Sequence, residues 1–330
     1  MIWPLFESLK VTIPLLPQAL FARTAVTEIL SIARAVRGSI DVFGFECRLS
    51  ANADRVDLGV RLLPAEDAVG GVPGRRSACR RDEPRRWLRA FTRDPARFRQ
   101  LVSCVYLEYD VTGSPRSAIP SVFLPLNDGA RRRNRSPRYA DVEGLLVDLM
   151  GRDRFAACAR SLVRCFAELP PGGRVLVAGA MLGRSPETAR LSISLPRSRV
   201  RDYLGLLGWP YWSREISDVV KSLGAHSASV LLDFDVGASI GPKVGVHFAT
   251  EGKRRTRYLC GRLSELGFCT GAKKEAVIAW PGVDAVRLWK RGWPCRFERY
   301  LSHVKIACAA DGVREAKAYL GVAPRFPLLG

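Results

Sequence analysis

The stretch "VLLDFDVGASIGPKVGVHF" (230–248) puts two carboxylates on alternate positions and, beyond a Gly/Ser/Pro turn, a lysine and a histidine on alternate positions again. Asp233 and Asp235 alternate with Leu232 and Phe234, and Lys243 and His247 alternate with Val244 and Val246. Period-two alternation of this kind describes a β-hairpin with one apolar face and one charged face. Similar residues recur along the chain. Glu46 and Arg48 stand in "FGFECRLS" (43–50), Asp57 and Arg61 in "VDLGVRL" (56–62), and Tyr106, Glu108 and Asp110 in "VYLEYD" (105–110). Arg190, Ser192 and Ser194 stand in "ARLSISLP" (189–196), His303 and Lys305 in "HVKIAC" (303–308), and Lys317 and Tyr319 in "AKAYLGV" (316–322). Asp110 and Asp235 adjoin turns, where aspartate often serves as a cap. Gathered in one enclosed place, the carboxylates could take protons and the cations could hold an anionic group. The competing outcome is mutual neutralisation, ion pairs that fix strand register and bind nothing.

These groups need elements to position them. Five strand pairs are legible, and their first strands are marked by Glu46, Glu108, Ala178, Asp233 and Lys305. The stretches between them carry apolar residues at three- and four-residue spacing, with Gly or Pro at many ends, and read as helices. Such stretches lie at 17–36, 82–102, 139–169, around 200–223 and around 256–280, the last followed by an undefined segment to about Arg299. The order is helix, helix, strand, strand, five times over. Segment 65–82 is rich in Gly, Pro and charge and reads as a mobile loop.

Each hairpin has an apolar face, marked by Phe45, Leu58, Leu107, Ile193, Leu232, Val246, Ile306 and Leu320, and each helical pair has a stripe to cover one. A solvated open sheet would show the same alternation. Ten strands joined edge to edge, however, tend to curl or close, and closure removes both exposed edges. With the helices outside, the charged faces turn inward, around a lumen too wide for side chains to fill. The expected fold is therefore α+β: five ααββ repeats forming a closed ten-stranded antiparallel β-barrel surrounded by helices, as one domain over 1–330.

Composition narrows the class. The 330 residues are 47% hydrophobic, and no apolar run reaches the roughly 18 residues of a membrane span. The N-terminus lacks the layout of a secretory signal, and nine cysteines include no C-x-x-C pair, which together suggest a reduced, cytoplasmic protein without structural zinc. The net charge of +20 draws attention to nucleic acid, chiefly through segments 74–100 and 130–138. Yet only nine of the 52 basic residues are lysines, a bias that a GC-rich bacterial genome produces without regard to function. No zinc-finger, RNA-binding or zipper signature accompanies the charge.

The element order resembles that of the ABBA, or PT-barrel, prenyltransferases, over about residues 17–322. "VDLGVRL" resembles the first-repeat second strand of the bacterial soluble aromatic members. There the resemblance makes Asp57 a magnesium ligand, with magnesium optional. "SHVKIACAADGVREAKAYLGV" (302–322) resembles their last hairpin, which would bring Lys317 and Tyr319 to a diphosphate. The same resemblance makes Glu46 the proton acceptor, as in indole-type members. One departure is "SVFLPL" (121–126), which lacks the basic residue often found on that strand.

The resemblance implies transfer of a prenyl group from an allylic diphosphate to an aromatic, amide, guanidine or peptide side-chain acceptor. Glu46, Glu108 and Asp233 are the candidate catalytic carboxylates. Arg61, Arg190, Lys243, His247, Lys305, Lys317 and Tyr319 are candidates for the diphosphate, and Tyr106 for an aromatic shield of the allyl cation. The expected partners are a prenyl diphosphate and a small-molecule or peptide acceptor, with the chain a monomer or homodimer. Two alternatives stand beside this one: a PT-barrel enzyme of other chemistry acting on a peptide or terpenoid, and a basic, non-catalytic protein that binds nucleic acid or another anionic partner.

Overall fold

The computed structural model describes residues 5–36, 40–51, 55–62, 100–111, 119–127, 138–225, 227–287 and 294–325. The loop expected at 65–82, the helices expected from 82, both arginine-rich segments up to their last residues and His226 lie outside the described residues.

The chain begins with α1 (Leu5–Thr12) and α2 (Arg23–Ala35), followed by β1 (Ile40–Arg48), β2 (Val56–Leu62), β3 (Val105–Asp110) and β4 (Ser121–Pro125). The third repeat contains α3 (Tyr139–Met150), α4 (Arg152–Ala167), β5 (Arg174–Ala180) and β6 (Ala189–Pro196). The fourth contains α5 (Val200–Leu206), α6 (Arg214–Leu223), β7 (Ser229–Val236) and β8 (Ile240–Ala249). The fifth contains α7 (Gly252–Glu265), α8 (Gly271–Ala279), a short strand β9 (Gly282–Arg287), β10 (Pro294–Ala309) and β11 (Gly312–Arg325).

Strands β1 to β8 pair with their sequence neighbours, β8 pairs with β10, β10 with β11, and β11 with β1, all antiparallel. The ring is closed and ten-stranded. β9 is an addition: it pairs with residues 294–299 of β10, outside the ring. This corrects the undefined segment before the last hairpin and lengthens β10 by seven residues relative to an expected start at 301. Helix α8 gives way to the strand at Trp280-Pro281, where proline cannot continue a helix.

Why the strands face as they do follows from burial. Phe45, Leu58, Leu107, Ile193, Leu232, Val246, Ile306 and Leu320 are each at most 2% exposed and belong to one apolar layer between the barrel and the helices. Helix α6 shows the covering pattern: Ile216, Val219, Val220 and Leu223 are buried, at the spacing of one helical face. Its start is fixed by Ser213, whose hydroxyl accepts a hydrogen bond from the Ile216 N–H. The eight described cysteines are free and buried, several within this layer. With that face committed to the helices, the alternate residues have only the lumen to enter. No described helix is long and apolar enough to cross a membrane.

Candidate active site

The barrel register brings the charged residues into layers. Glu46 lies opposite Asp57 on β2 and Tyr319 on β11, while Arg48 lies opposite Lys317. Lys317 in turn faces Lys305, and His303 faces Tyr319. Asp233 faces Ser192 on one side and Gly245 on the other.

Glu46 is the hub. Lys317 Nζ lies 2.8 Å from its Oε1 and Arg48 Nη2 3.3 Å away, and the Tyr319 hydroxyl donates to Oε2. Burial works to raise its pKa, but Lys317, Lys305 and Arg48 outweigh it and hold the carboxyl well below its usual range. Glu108 goes the other way. Burial and then the nearby charge of Glu46 raise its pKa, against the pull of Arg184 and Arg190. Asp57, fully buried, is raised by the same two causes although Arg48 Nη1 is 2.8 Å from its Oδ2. Three carboxylates of one cavity are thus pushed apart, Glu46 toward the ion and Glu108 and Asp57 toward the neutral acid.

Asp233 forms a second centre. Its Oδ2 is 3.2 Å from Lys305 Nζ and its Oδ1 3.1 Å from His247 Nε2. Burial raises its pKa, and Lys305, His247 and Arg190 overcome this to keep it well below the normal value. Gly245 makes room for this arrangement, because a Cβ there would overlap Asp233 Oδ1. Burial, followed by the charge of Lys305, lowers the pKa of His247 itself, against the pull of Asp233.

Two volumes that share lining residues result. One, of about 440 Å³, is walled by charge, including Arg48, Arg184, Asp235, Lys243, Glu315 and Lys317. The other, of about 270 Å³, is walled by Tyr106, Phe123, Pro125, Val177, Tyr300 and His303 among others. Glu46, Arg190, Asp233 and Lys305 border both. Arg61, like His247 and Tyr319, stands apart from the expected diphosphate cations Arg190, Lys243, Lys305 and Lys317. It borders only the aromatic volume, with its guanidinium paired to both oxygens of Asp41 and next to the Tyr106 hydroxyl. It lies four positions along β2 from Asp57, roughly 13 Å. Tyr106 is brought to the aromatic end and Lys243 to the charged rim, where among the described residues Lys243 has no ion-pair partner.

Sequence reading missed several contributors. Arg184, on the turn after β5, reaches Glu108 at 2.7 Å and both oxygens of Asp110. Arg55, in the turn before β2, joins it on Asp110 at 2.6 Å. Asp110 thus anchors two arginines. Residues in turns have no parity, so strand alternation could not reveal these arginines. Glu315 was accessible to that argument, because it shares the parity of Lys317 and lies 3.2 Å from its Nζ.

Glu46, Asp57 and Glu108 bring one carboxylate oxygen each within 4.8 Å of one another. An all-oxygen set of this kind suits a hard divalent cation such as magnesium. Here Arg48 and Arg184 already neutralise these carboxylates, so an ion would have to exchange with a guanidinium.

No protein-family model matches the chain, and no curated protein matches it. Solved structures do. AnaPT from Neosartorya fischeri superposes with a TM-score of 0.55 at 14% identity, covering 98% of this chain and 91% of that one. NotF, in complex with brevianamide F and DMSPP, superposes with a TM-score of 0.52 at 10% identity, covering 96% and 92%. At such identities the likeness is one of fold, and it extends along the whole chain. Closed ring, outer helices, charged lumen and superposition agree: the chain has the PT-barrel fold of the ABBA prenyltransferases.

Proposed function

We propose that the chain transfers a prenyl group from an allylic diphosphate to an acceptor bound in the same lumen. The carrying observation is Glu46, an ionised carboxylate at the border of the charged and aromatic volumes, held by Lys317, Arg48 and Tyr319. In the step, the allylic C–O bond breaks and its electron pair leaves with the diphosphate. The acceptor then forms the new bond to the allyl carbon, and the proton it loses passes to the Glu46 carboxylate. Lys305, Arg190, Lys243 and Lys317 are the cations placed to stabilise the leaving charge. Tyr319 has Lys305 Nζ 5.3 Å from its ring centroid, and with Tyr106 it offers π faces to the allyl cation. If magnesium takes part, Asp57, Glu46 and Glu108 would hold it, and it would neutralise diphosphate charge.

The lumen cations other than Lys243 are already paired, so a polyanion must displace carboxylates. Glu108 eases this, because burial and the charge of Glu46 push its pKa up and so weaken its hold on a cation. A second reading concerns the acceptor. Asp110 and Glu108 cradle the Arg184 guanidinium, so a guanidine or amine group could be held there in its place. The test is diphosphate release from dimethylallyl diphosphate with indole or an arginine peptide as acceptor, together with the mass of the product. Product from the native protein and none from Glu46→Gln supports the proposal. Equal turnover by both refutes Glu46 as proton acceptor, and no product with any prenyl diphosphate refutes the transfer itself.

A further inference from the structure

Arg184 is the cation of the lumen that no strand carries. Its turn, 181–188 between β5 and β6, is pinned at its base. The N–H groups of Arg184 and Ser185 both donate to the Met181 carbonyl, at 3.0 and 2.8 Å, and the Ser185 and Thr188 hydroxyls lie 2.7 Å apart. Gly183 fits against the Ile119 carbonyl, where a Cβ would overlap the oxygen. From this fixed base the guanidinium reaches three carboxylates at once. Nη2 is 2.7 Å from Glu108 Oε1 and 3.7 Å from Asp57 Oδ2, while Nε is 2.6 Å from one oxygen of Asp110 and Nη2 meets the other.

Two of those three belong to the Glu46–Asp57–Glu108 cluster. Arg48 holds the rest of it, at 2.8 Å from Asp57 and 3.3 Å from Glu46. The two arginines differ in their freedom to leave. Arg48 is 7% exposed on β1, whereas Arg184 is 30% exposed and borders the charged volume. Asp57 Oδ2 adds a separate observation. It is buried and accepts no hydrogen bond, although both guanidinium groups stand beside it. A guanidinium donates only along its planar fork, but a spherical cation has no such direction to satisfy.

Charge decides between adding an ion and exchanging one. Glu46, Asp57, Glu108 and Asp110 are paired with Arg48, Arg55, Arg184 and Lys317, four charges against four. A divalent ion added to this set leaves two positive charges uncompensated in a buried place, and one that replaces Arg184 leaves a single one. Exchange therefore costs less than addition.

We propose that Arg184 is an internal counter-ion that keeps divalent cations out of the Glu46–Asp57–Glu108 cluster, and that its withdrawal turns the cluster into a divalent-cation site. The departing guanidinium vacates the space in front of Asp57 Oδ2 and Glu108, so the ion needs no prior opening to them. The inference concerns the lumen of the proposed transferase but rests on the carboxylates alone. Mn²⁺ is the probe, since carboxylate oxygens suit it as they suit magnesium. Its binding is read from loss of the free-ion signal in electron paramagnetic resonance. Arg184→Ala and Arg184→Gln are each expected to bind one Mn²⁺ at least about tenfold more tightly than the native protein, because a charge in contact with the ligands is gone. Adding Glu108→Gln to Arg184→Gln should abolish that gain.

Mn²⁺ affinity in the Arg184 variants no higher than native, or a gain that survives Glu108→Gln, overturns the proposal. If the alanine variant fails to fold, the glutamine variant, which keeps the length of the side chain, decides. Tighter Mn²⁺ binding in a protein that binds no prenyl diphosphate would refute the transferase reading and leave the counter-ion role standing.

Discussion

At the scale of single residues, the lumen separates two glutamates by environment. Glu46 is ionised by its cations and Glu108 is driven toward neutrality by burial and by Glu46. A proton acceptor in the bond-forming step is commonly worth 10²–10⁴-fold. Glu46→Gln is therefore expected to lower kcat by about 10²-fold or more while dimethylallyl diphosphate affinity does not fall, since Lys317 loses its carboxylate partner, read from initial rates and a titration on the same variant. The opposite shifts also give opposite pH behaviour. The Glu46 pKa is depressed in the fold, so its stabilisation is full above its unfolded value of about 4.3 and is lost as pH falls through the folded value. The Glu108 pKa is raised, so stability declines as pH rises through its folded value, and Glu108→Gln should remove that decline. Denaturant melts of the three proteins from acid to neutral pH check both signs. Glu46, Lys317 and Tyr319 were legible in the sequence because they sit on strands with one parity. Arg184 and Arg55 were not, because they reach the lumen from turns.

At the scale of elements, positions without a side chain shape the site as much as charged ones. Gly245 lets Asp233 lie across β8 to meet His247 and Lys305. Gly245→Ala should cost about 1–3 kcal/mol and, by pushing the Asp233 carboxylate aside, free the His247 ring. The expected outcome is a folded protein with a lower Tm and altered His247 titration by NMR; an unchanged His247 would show that Asp233 does not depend on the glycine. The Glu46–Lys317 pair makes a complementary case. Both partners are largely buried, so Lys317→Ala leaves a poorly paired charge and should destabilise by about 3 kcal/mol, measured by urea unfolding. Helices and hairpins were readable element by element, since apolar spacing and turn residues mark them. β9 was not, because six residues with alternating exposure carry little pattern and the pairing with β10 is remote from local sequence.

At the scale of the whole molecule, everything depends on closure. Local alternation cannot distinguish an open sheet from a barrel, and neither does composition. What favoured closure was the combination of ten strands with helices that had an apolar face to cover. The β1–β11 and β10–β11 pairings realise it and bring Glu46 and Lys317, 271 positions apart in sequence, into hydrogen-bond contact. The net charge of +20 is not concentrated in the lumen, where cations and carboxylates pair, so it gives no direct account of the site. A protein using that charge for nucleic acid would lose affinity steeply with salt.

Calorimetric titration of dimethylallyl diphosphate into the native protein and into Lys305→Ala is the most direct test that this closed lumen is a diphosphate site. Loss of one charge-assisted contact of about 1.5–3 kcal/mol should weaken binding at least tenfold. Saturable one-site binding that Lys305→Ala weakens by that factor is the predicted result. Absence of binding, or binding indifferent to Lys305, would contradict the account.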